Sequence, residues 1–112
     1  MRTLNDYFIP AGNLDLGGSS DTSSIVTCPD GGKVIGFSVN TTEAIDVTGT
    51  ADILVNGADS GVDISFPVTA VDTGILALPT ATLFVADHDA VQLQSNDEPS
   101  TGIVDCTLII RR

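Results

Sequence analysis

The feature that most constrains this chain is a period-two alternation of apolar and polar residues that recurs along much of its length. In Lys33 to Asn40 the residues Ile35, Phe37 and Val39 alternate with Gly36, Ser38 and Asn40. Val62, Ile64, Phe66 and Val68 repeat the pattern against Asp63, Ser65 and Thr69, and Val104, Cys106, Leu108 and Ile110 repeat it against Asp105 and Thr107. Successive side chains of a strand point to opposite faces, so each segment offers one apolar row to a core and one polar row to water. A helix would need the row to recur every three to four residues. Composition points the same way: Val, Ile and Thr number 11, 10 and 13, whereas Glu and Lys, the usual formers of helix surfaces, number 2 and 1.

The segments between the alternations read as turns. Pro29-Asp30-Gly31-Gly32 supplies the dihedrals of a tight reversal and stops a strand over Ser23 to Cys28. Asn56-Gly57 is the commonest hairpin signal and joins Thr50 to Asn56, with Ala51, Ile53 and Val55 on one face, to the Val62 to Val68 strand. Because Ala58-Asp59-Ser60 intervenes, the connection reads either as a two-residue turn or as a longer loop. Pro67 lacks an amide donor and marks either an edge strand or a strand end. Ile75 to Leu78 reads as a strand or as a single helical turn, and Thr82 to Ala86, Ala90 to Ser95 and Gly102 to Arg111 read as three further strands. The expectation is an all-β, single-domain antiparallel β-sandwich or jelly roll of about 7 to 9 strands, which buries alternate residues of facing sheets. A chain of 112 residues makes one core and excludes a two-domain enzyme.

The N-terminal part divides differently. Leu4, Tyr7, Phe8 and Ile9 form a short apolar stretch ending at Pro10, and Gly17 to Ser24 is a polar Gly/Ser segment in which no side chain is expected to anchor a core. Residues 1–23 are therefore expected to be an arm, or a first strand, followed by a flexible loop, and residues 24–112 the sandwich. The arm and the first strand carry equal weight.

Charge and motifs narrow the function classes. Fifteen acidic residues against four basic ones give a net charge of −11, which repels nucleic acid and anionic membranes. No apolar run near Met1 has the length of a signal peptide and none reaches about 18 residues, so cytosolic synthesis and a water-exposed protein are expected. In that compartment Cys28 and Cys106 are expected to be buried free thiols, although a disulfide would stabilise by about 4 to 5 kcal/mol in the chain-entropy model. The Asn40-Thr41-Thr42 sequon matters only in a secreted chain and is read as chance.

Candidate chemistry is sparse. His88 lies between Asp87 and Asp89, but adjacent side chains on a strand diverge, and a polar turn between two apolar runs is the expected reading. Asp52, Asp59 and Asp63 do not follow the calcium-loop spacing, no nucleophile has a partner base, and no phosphate-binding glycine loop is present. No cofactor, no metal and no catalytic role are expected. With one Tyr and no Trp, and with the four Phe mostly at inward positions, only Tyr7 is expected to be free to stack on a sugar.

Three stretches together carry a resemblance: Cys28-Pro29-Asp30-Gly31-Gly32-Lys33-Val34-Ile35-Gly36-Phe37-Ser38-Val39, Ile53-Leu54-Val55-Asn56-Gly57, and Ser100-Thr101-Gly102-Ile103-Val104. From Ser24 to Ile110 the chain resembles the small head decoration, or cement, proteins of tailed bacteriophages. The resemblance implies a β-sandwich made in the host cytoplasm that binds the major capsid protein on the outside of the phage head, as a homo-oligomer with a trimer favoured. Leu4, Tyr7, Phe8 and Ile9 would then be the capsid or subunit contact, with neither nucleic acid nor membrane as partner. The alternative from another class is a receptor- or glycan-binding module, such as a tail-fibre tip or host-attachment domain.

Overall fold

The computed structural model describes residues 6–17, 21–96 and 101–112. Nine strands follow in chain order: β1 (Asp6–Asp15), β2 (Val26–Thr27), β3 (Gly32–Glu43), β4 (Gly49–Val55), β5 (Ala58–Phe66), β6 (Gly74–Pro79), β7 (Phe84–Val85), β8 (Ala90–Ser95) and β9 (Ile103–Arg111). All pairings are antiparallel, and no helix of the described residues is long and apolar enough to cross a membrane. The strand order is β1-β9-β3-β6-β5-β4-β8-β2, with β7 alongside β3. The fold is therefore the expected antiparallel β-sandwich, bent at β6 so that it nearly closes on itself.

Strand β6 makes the bend. Its first half pairs with β3 through Gly74 to Ala77, and its last two residues pair with β5 through Leu78 and Pro79. One strand thus belongs to both sheets. Ile75 and Ala77 point to the core side, while Leu76 and Leu78 point out on the first and second sheet respectively. Between the sheets lies one apolar core that includes Phe37, Val39, Leu108 and Ile110 from the first and Ile53, Ile64, Phe66 and Leu93 from the second. The alternation seen in the sequence is the inward row of these strands except at two positions: the bulge between Val34 and Gly36 puts Val34 in the core and leaves Ile35 out of the row, and Val68, beyond the end of β5, is exposed.

The Asp6–Asp15 segment is a strand of this same fold. It pairs with β9 along its length, and Ala11, Leu14 and Leu16 are buried in the core. A bulge between Pro10 and Gly12 inserts Ala11, which shifts the parity of the strand and hides its amphipathic pattern in the sequence. Leu4 lies outside the described residues. On the far side of β1, the Ser24 amide donates to the Ala11 carbonyl at 2.8 Å, and Thr22 bridges to Gln94 beside β8. Residues 21–24 thereby join the two ends of the sandwich. Ser23 is buried, its amide donates to the Leu93 carbonyl, and its Oγ accepts from the Leu93 amide at 2.9 Å. The expectation that this polar segment anchors nothing is corrected: a small hydroxyl can enter a core when both its neighbours are satisfied backbone groups.

The β4–β5 connection resolves as the two-residue turn. Asn56 and Gly57 both have positive φ, 53° and 83°, the requirement of the primed turn that Asn-Gly fulfils. The register irregularity between Asp52 and Leu54 absorbs the extra length, so Ala58-Asp59-Ser60 belongs to β5. Pro67 follows the last residue of β5 and ends it.

Candidate functional site

The outer face of the first sheet carries two of the described cations, Lys33 and Arg111. In register across four strands lie Asp6 of β1, Arg111 of β9, Lys33 of β3 and Phe84 of β7, and residues paired directly opposite share a face. Arg111 donates to both carboxylate oxygens of Asp6, at 2.9 and 3.1 Å, and that carboxylate holds the guanidinium further above its usual value. The adjacent row carries Phe8, Ile109 and Gly36. Phe8 is 64% exposed and Phe84 69% exposed. Ile109 points outward yet is buried.

Next to Lys33, the cross-strand partner of Phe84, the surface is concave. Lys33, Val34 and Ile35 at the start of β3, Leu78 and Pro79 at the end of β6, and Ala81 and Thr82 after it line an open groove of about 390 Å³. The walls come from segments more than 40 positions apart in sequence, brought together by the antiparallel pairing of β3 with β6. Gly36 permits that approach: its φ is 153°, and a Cβ there would overlap the Ala77 carbonyl oxygen. The Val34 amide donates to the Leu83 carbonyl at 2.9 Å, which fixes the loop carrying Thr82 and Phe84 against β3.

Of the four residues expected as a contact surface, only Phe8 presents its side chain outward among those described. Tyr7 and Ile9 have the opposite parity and pack partly buried against the core. Tyr7 donates its hydroxyl to Asp30 at 3.0 Å, and the Arg112 guanidinium lies 5.2 Å above its ring and donates to the same carboxylate at 2.8 Å. Arg112, then Tyr7 and the Gly31 amide, lower the Asp30 carboxyl, while burial and then the Asp30 hydrogen bond raise the Tyr7 phenol. Tyr7 is a structural tie between β1 and the β2–β3 turn. The expectation that Tyr7 alone is free to stack is corrected: Phe8 and Phe84 are free, and Phe37 and Phe66 fill the core.

The outer face of the second sheet is built otherwise. Asp52 of β4 stands directly opposite Asp63 of β5 and, on its other side, opposite Gln94 of β8. Burial, then the hydrogen bond with Asp52 and the Asp52 and Asp59 charges, raise the Asp63 carboxyl. Asn96 donates to Thr50 at 2.9 Å and to Asp52 at 3.5 Å, and its buried Oδ1 accepts no hydrogen bond from the described residues. Among the described residues no three His, Cys, Asp or Glu side chains converge as a metal site. His88 occupies a turn with φ 67°, well exposed and 3.3 Å from Asp87, whereas Asp89 turns away to accept from the Ala86 amide and from Asn56. Those two bonds lower the Asp89 carboxyl and make the tripeptide a structural turn. Cys28 and Cys106 are buried and unpaired; burial, then the Asp105 charge, push the Cys106 thiol up to about 12.

No protein-family model matches the chain, and no curated protein sequence matches it. By shape it is similar to carbohydrate-binding and glycoside-hydrolase structures. The CBM36-1 domain of a multidomain xylanase from the hindgut metagenome of Trinervitermes trinervoides superposes with a TM-score of 0.55 at 11% identity, over 96% of this chain and 97% of that one. A GH26-CBM35 β-(1,4)-mannanase of Podospora anserina gives 0.56 at 13% identity, and an exo-β-1,3-galactanase of Phanerochaete chrysosporium gives 0.56 at 14%. This chain spans 28% and 29% of the length of those two enzymes. The class these likenesses define is the small β-sandwich.

Proposed function

We propose that this chain is a non-catalytic saccharide-binding module whose ligand lies in the groove between β3 and the β6–β7 connection. The observation that carries the reading is Phe84, an aromatic ring held largely in solvent whose cross-strand partner Lys33 lines an open groove. A large exposed ring loses hydrophobic stabilisation unless a ligand covers it, and a flat ring suits the C–H face of a pyranose. Leu78 and Pro79 add apolar wall, and Thr82 adds a hydroxyl. The likeness to the CBM36-1 domain, which matches over nearly the whole of both chains, supports the reading at the level of fold. Affinity electrophoresis in gels containing mannan, β-1,3-galactan or xylan tests it. At least one polysaccharide should retard the protein, and Phe84→Ala should weaken that retardation about tenfold in affinity. A folded protein retarded by none of a broad panel overturns the reading.

A second reading is favoured by Phe8, exposed on a strand at the end of the first sheet: a phage-head decoration protein that binds the major capsid protein as a trimer on the virion exterior. Mass spectrometry of purified particles from the source tests it directly. Absence of the chain from the shell, or attachment unaffected by Phe8→Ala, removes this reading.

A further inference from the structure

We infer that the groove takes a saccharide bearing a carboxylate, a uronate, with Lys33 as the group that selects it. This rests on the proposed saccharide-binding role and names the ligand class for the same groove. Three basic residues are described, and two are neutralised in place: Arg111 by Asp6 and Arg112 by Asp30. Lys33 has no ion pair among the described residues, is exposed, and lines the groove. In a chain of net charge −11, the single described cation left without a counter-ion stands where a ligand would lie.

The register defines the geometry. Lys33 and Phe84 are direct cross-strand partners on one face, so their Cβ atoms lie about 5 Å apart. Arg112 over Tyr7 is the cation–π contact of the described residues, and the Lys33 ammonium is not held over the Phe84 ring. A sugar stacked on that ring would therefore place an exocyclic carboxylate within reach of the flexible lysine stem. The negative charge of the whole chain does not forbid this. Of the carboxylates near this end, Asp6 and Asp30 are paired with arginines, Asp87 lies 3.3 Å from His88, and Asp89 accepts from the Ala86 amide and Asn56; exposed charges more than about 8 Å away are screened at physiological ionic strength. A point ammonium suits one carboxylate and makes no bidentate demand.

The test compares methyl β-glucuronide with methyl β-glucoside, which differ in the carboxylate alone, by NMR titration of the labelled chain. The glucuronide should perturb the amides of Lys33, Ile35 and Thr82 and bind about threefold to fivefold more tightly than the glucoside, the range of an exposed ion pair. Lys33→Gln should abolish the preference for the glucuronide, and Phe84→Ala should weaken both ligands. Equal affinities, a preference that survives Lys33→Gln, or no perturbation by the glucuronide overturns the assignment while the polysaccharide gels still decide the binding role. If those gels also show no retardation, the role falls together with the assignment.

Discussion

The two outer faces of this sandwich are made by the same period-two strands, yet they solve the problem of charge in opposite ways. On the first sheet, Asp6 and Asp30 each meet an arginine, and the remaining cation, Lys33, stands beside an exposed aromatic ring and an apolar groove. On the second, Asp52 and Asp63 face each other with no cation against them among the described residues, bordered by Gln94 and Asn96. At the Lys33 end of the first sheet the acid is locally neutralised, whereas Asp52 and Asp63 on the second are left to repel each other. A face with exposed apolar surface and neutralised surroundings is ready to exchange water for a ligand; a face of hydrated carboxylates serves dispersal of the protein in water.

The largest effect that sharpens this contrast comes from the four phenylalanines. Phe37 and Phe66 are fully buried, one from each sheet, and truncating either to Ala should cost about 3 to 5 kcal/mol in chemical denaturation through lost transfer energy and the cavity left behind. Phe8→Ala and Phe84→Ala should each change stability by less than about 0.5 kcal/mol, since their rings are already in water. A loss above about 2 kcal/mol for Phe84→Ala would show that the ring supports the fold and would remove it from the binding face.

A smaller effect isolates the strand that the two faces share. Gly36→Ala forces a side chain against the Ala77 carbonyl at a φ of 153°, and the strain should cost about 1 to 3 kcal/mol. Because β6 carries Leu78 and Pro79, the same change should shift NMR signals of the groove while those of Asp52 and Gln94 stay in place. Equal disturbance of both faces would mean that the sheets respond as one body and that the contrast between them is not local.

The sandwich was legible because β5, β8 and β9, and β3 beyond Gly36, keep an unbroken parity over six residues or so, and their inward rows can be read directly; the bulge between Val34 and Gly36 leaves Ile35 outside the row it was read into. Parity failed where the backbone breaks it. The inserted Ala11 in β1 separates Phe8, which points out, from Leu14, which points in. Strand β7 is two residues long, and the apolar run Leu83-Phe84-Val85 gives no sign that its middle member faces solvent. A single outward Phe between two inward-leaning neighbours is the signal that was available, and its strength depends on knowing that Val85 is buried. The groove was out of reach for another reason. Its walls at 33–35 and 78–82 meet only through the bend at β6, and the short apolar run Ile75 to Leu78 fits a helical turn as well as a strand. Ser23 was missed because its burial depends on Leu93, 70 positions away.

The smallest effect concerns the acidic face. Asp63 and Asp52 are direct cross-strand partners, and like charges in that position destabilise by up to about 1 kcal/mol. Burial and Asp52 raise the Asp63 carboxyl in the folded chain, so the folded state binds a proton more tightly than the unfolded one. The stability from this group is therefore complete below the unfolded carboxylate value and is lost as pH rises through the raised folded value. Asp30 and Asp89 are lowered and act in the opposite sense, their contribution being lost as pH falls. The total profile mixes both signs, and a variant separates them. Asp63→Asn should stabilise the protein by less than about 1 kcal/mol at neutral pH, and the gain should shrink as the medium is acidified into the carboxylate range, where the wild-type Asp63 is itself protonated. Urea denaturation of both proteins at neutral and at acidic pH measures the difference. A gain that persists undiminished at acidic pH would mean that the amide stabilises through hydrogen bonding with Asp52, and that charge repulsion does not set this face apart from the other.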